Sequence, residues 1–411
     1  MSKVIVLGGG PAGMMAAIAA SKNNNVLLIE KNEKLGKKLY ISGKGRCNLT
    51  NAKDISEFFD YIPGNADFLY SSLYTFTNQD TVNFFNNLNV KLKVERGDRV
   101  FPLSDKSSDI IKAMERKLKE NKVEILLNSP VKKFLHNDGH ISSVQILDET
   151  VIPGDYFILT TGGKSYPQTG STGDGYKMAK ELGHNVTKLK PSLVPIQIDE
   201  DWVKDIQGLS LKNVDLYIKD LNDKILYSEF GEMLFTHFGI SGPIVLSASR
   251  TVSSYLDKYK LKVVVNLKPA LSFEELDTRI QRDFTKFSNK NFKNSLYELL
   301  PKKIIPTIID LCKINPDKKV NSITKNERQN LVHIIRNLTM HIKDLRPIEE
   351  AIVTSGGIDV REINPSNMHS KLIDNLYFAG EIIDIDGYTG GFNIQIALST
   401  GFSAGNGVKK I

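Results

Sequence analysis

Lys3-Val4-Ile5-Val6-Leu7-Gly8-Gly9-Gly10-Pro11-Ala12-Gly13 begins as a short apolar run and breaks into three consecutive glycines. The residues that follow decide how the run is read. Residues 11–21 are rich in alanine and read as a helix, and residues 26–29 form a second apolar strand that ends at Glu30. Strand, glycine turn, helix and strand make a βαβ unit, and Gly8, Gly10 and Gly13 take the three glycine places of G-x-G-x-x-G. Each has a mechanical task. Gly8 permits the tight turn, Gly10 lets a pyrophosphate approach the backbone, and Gly13 lets helix and strand pack closely. From Pro11 and Ala12 onward the helix N-terminus offers N–H groups to phosphates. A carboxylate at Glu30 accepts bonds from ribose hydroxyls and repels a 2′-phosphate, which suits FAD or NAD.

The far end of the chain favours FAD. Residues 375–381, Asn-Leu-Tyr-Phe-Ala-Gly-Glu, read as an apolar strand ending in glycine and an acid, and Gly390-Gly391-Phe392-Asn393 opens a helical segment from Ile394 to Gly405. This order is expected to set Glu381 on a ribityl hydroxyl and the helix N-terminus at the flavin pyrimidine, where reduction develops negative charge. Residues 157–163, Phe-Ile-Leu-Thr-Thr-Gly-Gly, add a third strand ending in small residues. Residues 36–51 carry Lys37, Lys38, Lys44 and Arg46, three glycines and no acid, a loop able to wrap a pyrophosphate. Ser42, Gly43, Gly45, Arg46 and Asn48 are therefore expected on FAD, while Lys37 and Lys38 read equally well as a solvated charge pair. Lys31, Lys38, Val131, Thr161, Gly162 and Gly163 join the expected cofactor set, as do Gly380, Gly391, Phe392, Asn393 and Ile394.

Composition bounds the remaining possibilities. A chain of 411 residues that is 41% hydrophobic can bury a large core, and its length points to two or three domains. No run reaches the roughly 18 apolar residues of a membrane span, and the N-terminus enters a strand directly, so a cytoplasmic protein is expected. Cys47 and Cys312 are the two cysteines, without metal-ligand spacing, and no metal is expected. The net charge of +7 is concentrated: residues 271–346 hold 15 Lys/Arg against 9 Asp/Glu, a net of +6. That segment is either a solvated surface or one that faces nucleic acid. A second strand-linked G-x-G-x-x-G is absent, so NADH or NADPH would visit transiently, or the reductant is the substrate itself.

The segment Gly36-Lys37-Lys38-Leu39-Tyr40-Ile41-Ser42-Gly43-Lys44-Gly45-Arg46-Cys47-Asn48-Leu49-Thr50-Asn51 resembles the signature of the HI0933-like flavoprotein family, also called the YhiN or BaiN family. Residues 95–102, 161–175, 231–243 and 380–393 resemble it too, so the likeness spans nearly the whole chain. It implies an α/β fold with a Rossmann-like two-dinucleotide-motif FAD domain, interrupted by a β-barrel-like insert and a small helical domain. The FAD domain would comprise residues 1–190 and 355–411, the barrel 191–270 and 337–354, and the helical part 271–336. Short β-branched runs across 191–269 and helical spacing across 272–336 are compatible with it. The resemblance also implies three activities: FAD- and NADH-dependent formation of dihydrouridine in large-subunit ribosomal RNA, oxidation of a small amine such as aminoacetone by O₂, and reduction of bile-acid or steroid enones. The basic segment favours the RNA activity.

Four residues are candidates for catalysis. Arg46 and Cys47 lie in the glycine loop, where neighbouring cations would favour a Cys47 thiolate, although a small packed residue is the alternative. His237, between Phe235 and Phe238, reads either as a substrate-facing acid or base or as a buried satisfied histidine. Tyr166, after Gly163-Lys164-Ser165, is a further proton donor candidate.

Overall fold

The computed structural model describes residues 1–408, and the chain forms two compact units, Met1–Pro191 with Ile348–Ile411, and Ser192–Pro347. The first is built on a five-stranded sheet of β1 (Lys3–Leu7), β2 (Asn25–Ile29), β3 (Glu124–Leu126), β4 (Tyr156–Leu159) and β5 (Leu376–Phe378). Every pairing is parallel, in the order β5-β4-β1-β2-β3. A strand covered on both faces needs apolar residues throughout, and Val4 to Leu7 are buried without alternation. From β1 the sheet grows in opposite directions, so a crevice opens at the carboxyl ends of β1 and its neighbours, the usual ligand position of such sheets.

Two helices bracket that crevice. In α1 (Pro11–Ala20) every residue from Ala12 onward is buried, as in a helix that is apolar all round. It crosses α2 (Phe392–Gly407), and two glycines make the approach possible: a Cβ on Gly401 would lie 2.4 Å from the Ala12 carbonyl oxygen, and one on Gly405 2.3 Å from that of Ala16. The unit also holds two three-stranded antiparallel sheets, one of Thr50–Asn51, Leu92–Glu95 and Arg99–Pro102, the other of Val131–Asn137, His140–Ile146 and Val151–Pro153.

The second unit is a closed six-stranded barrel, running around as Ile196–Ile198, Gly239–Ser241, Ile225–Thr236, Ser210–Asp220, Leu261–Asn266 and Leu338–Leu345. Helices Phe273–Lys286, Ile305–Cys312 and Lys325–Arg336 follow the fifth strand and group with the barrel. Ser272 and Thr324 begin the first and last of these through capping boxes with Glu275 and Glu327. Residues 348–354, expected with the barrel, group instead with the first unit, where the Thr354 hydroxyl accepts the N–H groups of Lys164 and Ser165. Among the described residues, no helix is long and apolar enough to cross a membrane.

Candidate functional site

A solvent-open cleft lies at the carboxyl ends of β1, β2 and β4, between the first turns of α1 and α2. The three motif glycines serve it differently. Gly8 has φ +106°, and a Cβ there would stand 2.6 Å from the Thr160 carbonyl oxygen. At Gly13 a Cβ would stand 1.8 Å from the Gly8 carbonyl oxygen, so this glycine is demanded by packing. Gly10 has an ordinary φ of −76° and nothing of the protein within 4 Å of its Cβ position. The fold does not require glycine there; the vacant space adjoins the cleft, where a side chain would block a ligand.

Glu30, 8% exposed, lines the cleft at the end of β2. Its Oε2 accepts the Gly9 N–H at 2.7 Å, and its Oε1 accepts the Asn32 N–H at 2.8 Å and the Asn32 amide at 2.6 Å. The carboxylate thus locks the glycine turn to the strand end as well as facing the ligand space. Opposite, Lys38 and Glu381 form an ion pair at 2.7 Å that ties the two ends of the chain together. The Lys38 ammonium also donates to Ser165 Oγ, and Glu381 Oε1 accepts from Ser165 Oγ and the Thr354 N–H. Lys31 pairs with Asp174. Burial raises the Asp174 carboxyl, but bonds from Lys31 and Thr172 outweigh it and hold it below its usual value. At the second helix, Gly391 has φ +101° and Asn393 exchanges bonds with the Gly387 N–H and carbonyl, shaping the turn that delivers Asn393 and Ile394 to the cleft.

Of the residues expected on a dinucleotide, Gly8, Gly10, Pro11, Ala12, Glu30, Lys31, Lys38, Ser42, Val131, Thr161, Gly162, Glu381, Asn393 and Ile394 line this cleft. Gly163 and Gly380 instead admit close packing, against Thr354 and Ala12 respectively. Phe392 is buried and stacks on Tyr61 at 4.5 Å. The glycine loop differs most from expectation. Gly43, Gly45, Arg46 and Asn48 do not line the cleft. Arg46 is held by Glu95 and Asp105 over the Phe101 ring, and Asn48, with its amide oriented to satisfy both neighbours, accepts the Gly391 N–H and donates to the Thr50 carbonyl. Lys37 reaches Glu33 and Lys38 reaches Glu381, and both lysines line the cleft.

Among the catalytic candidates, Cys47 is fully buried and its thiol is pushed up to about 12 by desolvation, which fits the small packed residue rather than the thiolate. His237 is exposed at the end of Ile225–Thr236 in the second unit, edge-on to Phe238, which overturns the buried alternative. Tyr166 is half-buried with φ +51°, its N–H donating to the Glu349 carbonyl, and does not line the cleft. Ser165, Thr354, Asn32 and Asp174, which position the ionic groups, were not singled out from the sequence. Ser165 and Asp174 stand within the stretch 161–175, and the signal was its density of hydroxyl residues around one acid.

A family model described as the HI0933-like protein Rossmann domain matches residues 2–407. The chain is 30% identical, over 98% of both chains, to a 3-dehydro-bile acid delta(4,6)-reductase of Clostridium scindens. It is 29% identical to the ribosomal RNA dihydrouridine synthase of Escherichia coli, over 97% of this chain and 96% of that one. Among solved structures, a 3-ketosteroid delta1-dehydrogenase from Sterolibacterium denitrificans shares the fold with a TM-score of 0.52 at 13% identity, covering 99% of each chain.

Proposed function

The chain belongs to the HI0933-like family and, like its relatives, is an oxidoreductase, and from that premise we propose that FAD is its resident cofactor. The reaction proposed is saturation of a carbon–carbon double bond conjugated with a carbonyl, on uridine in large-subunit ribosomal RNA. When bound, FAD supplies the electron pair, drawn from NADH or NADPH as a transient donor. The observation that carries the cofactor assignment is the void at Gly10 beside the α1 N-terminus, with Glu30 at the adjacent strand end. Pro11 and Ala12 present the helix end to a pyrophosphate, Glu30 receives a ribose, and the start of α2 offers N–H groups to a second polar portion. Lys38, neutralised by Glu381, adds a cation without adding net charge.

The names of both relatives support the reaction class, since a Δ4,6-reductase and a dihydrouridine synthase each saturate a double bond conjugated with a carbonyl. The RNA substrate rests on charge. Within residues 271–346, Asp277, Asp283, Glu298, Asp317 and Glu327 are taken up by Arg328, Arg279, Lys286, Lys293 and Lys318. Lys302, Lys303, Lys313, Lys319 and Lys325 remain exposed. A steroid enone is the second reading, favoured by the bile-acid relative. The test is anaerobic flavin reduction by NADH, NADPH and aminoacetone in turn, followed by turnover of dihydrouridine-free ribosomal RNA and of a 3-oxo-Δ4 steroid. Expected are reduction by a nicotinamide and a two-hydrogen mass gain in the RNA. Steroid turnover without RNA change would move the substrate to the enones, and reduction by aminoacetone alone would indicate an amine oxidase.

A further inference from the structure

In the second unit the turn after helix Phe273–Lys286 is fastened to the segment before helix Lys325–Arg336. The Phe292 N–H donates to the Lys318 carbonyl, the Lys293 N–H to that of Pro316, and the Val320 N–H to that of Lys290, while Asn291 and Lys319 form an isolated bridge. The fastening collects Lys290, Lys293, Lys318 and Lys319 from two distant stretches onto one surface. Lys293 and Lys318 are matched by Asp317 and Glu327. Lys290 and Lys319 are exposed and face no such acid: the Lys290 ammonium meets the Tyr297 hydroxyl at 3.2 Å and the Lys319 ammonium the Asn289 carbonyl at 3.2 Å, contacts a phosphate oxygen can replace. Tyr297 stands beside Lys290, 42% exposed, backed by the buried Phe287 ring at 5.1 Å.

We propose that Tyr297, Lys290 and Lys319 form a binding site for single-stranded RNA, in which Tyr297 stacks on a base and the two ammonium groups hold the adjoining phosphates. Rigid aromatic rings next to paired cations are the general means of gripping unpaired strands, since every base has a face to stack and every linkage a charge. An exposed lysine cluster alone would serve any polyanion; the tyrosine gives the surface its preference for bases. The Lys290 ammonium, 5.0 Å from the Tyr297 ring centroid, moves from the ring to the phosphate as the base arrives. This site rests on the reading of ribosomal RNA as substrate.

The full-length flavoprotein is titrated with a labelled single-stranded RNA of about twelve nucleotides across a salt series, and ribosomal RNA turnover is measured alongside. Tyr297→Ala is expected to weaken binding about tenfold. Lys290→Gln with Lys319→Gln is expected to lower the salt slope by about 0.7 for each phosphate that is no longer neutralised. Melting temperature, flavin content and NADH-driven flavin reduction should match the parent in both variants, and Tyr297→Phe should restore affinity. If the parent modifies ribosomal RNA and all variants bind and modify it equally, this surface is not the grip although the substrate reading stands. A parent that neither binds nor modifies RNA defeats both. Equal affinity of the parent for heparin and RNA, unchanged by Tyr297→Ala, overturns base stacking.

Discussion

Gly10 and Gly13 separate ligand binding from folding. A side chain at Gly10 enters open space from an unstrained backbone, whereas at Gly13 it meets the Gly8 carbonyl. Gly10→Val is therefore expected to melt within a few degrees of the wild-type apoprotein yet purify without flavin. Gly13→Val should lose both stability and flavin; equal melting temperatures for the two apoproteins would refute the distinction. Glu30→Ala carries a double consequence, because the same carboxylate that faces a ribose also satisfies Gly9 and Asn32. Leaving those donors unpaired costs about 1 to 3 kcal/mol, so the apoprotein itself should be less stable, as chemical denaturation would reveal. His184 shows a residue whose effect is on pH response. Its buried ring lies between Glu362 and Ser370, and burial lowers its pKa from 6.5 against the opposing pull of Glu362. With the folded value depressed, the unfolded chain binds the proton first. Stability is then complete above the ordinary imidazole range and falls as pH drops through it, by at most about 1.4 kcal/mol per pH unit. Urea midpoints measured between about pH 7.5 and 5.5 should fall more steeply for wild type than for His184→Gln, and parallel slopes would exclude this histidine as the source.

The βαβ opening and the strand that ends at Glu381 were legible because their signals are local: apolar runs of strand length, glycines at fixed offsets, an acid at a strand end. The crossing of α1 and α2 was not, since Gly401 and Gly405 acquire meaning only once Ala12 and Ala16 are opposite them. A methyl group at Gly401 would overlap the Ala12 carbonyl, and overpacking of this kind costs about 1 to 3 kcal/mol. Gly401→Ala should accordingly lower the melting temperature and loosen flavin retention together, because the displaced helices carry both N-termini of the cleft. Intact retention in a destabilised variant would show that the helix ends hold position independently of this contact. Residues 36–51 were the hardest element to read. Their four cations suggest an anion site, but Glu95 and Asp105, roughly fifty to sixty positions further on, claim Arg46, and Glu381, more than three hundred further on, claims Lys38. A pattern confined to sixteen residues contains nothing about partners that only the fold brings near.

For the whole molecule, the charge excess was legible as a sum but not as a set of free groups. Lys318 illustrates the difference: it pairs with Glu327, which also accepts the Thr324 N–H at the start of helix Lys325–Arg336. Lys318→Glu sets like charges together at a helix cap, so it is expected to cost about 1 kcal/mol or more in stability and is a poor probe of RNA binding. Lys302, Lys303 and Lys325 are exposed and better suited. If they act through the summed field of the second unit rather than by direct contact, reversing them to Glu should slow RNA association at low salt. The effect should then fade as the Debye length shrinks from about 30 Å at 0.01 M to about 3 Å at 1 M. The deficit of Tyr297→Ala should persist across the same series, because base stacking is not a charge interaction. Association and dissociation rates measured for both variants over that range distinguish the two roles. A triple reversal whose deficit lies in the dissociation rate, with a salt slope lowered by about 0.7 for each phosphate no longer neutralised, would place those lysines in direct contact, and one with no deficit at any salt would remove the field of this unit from RNA capture altogether.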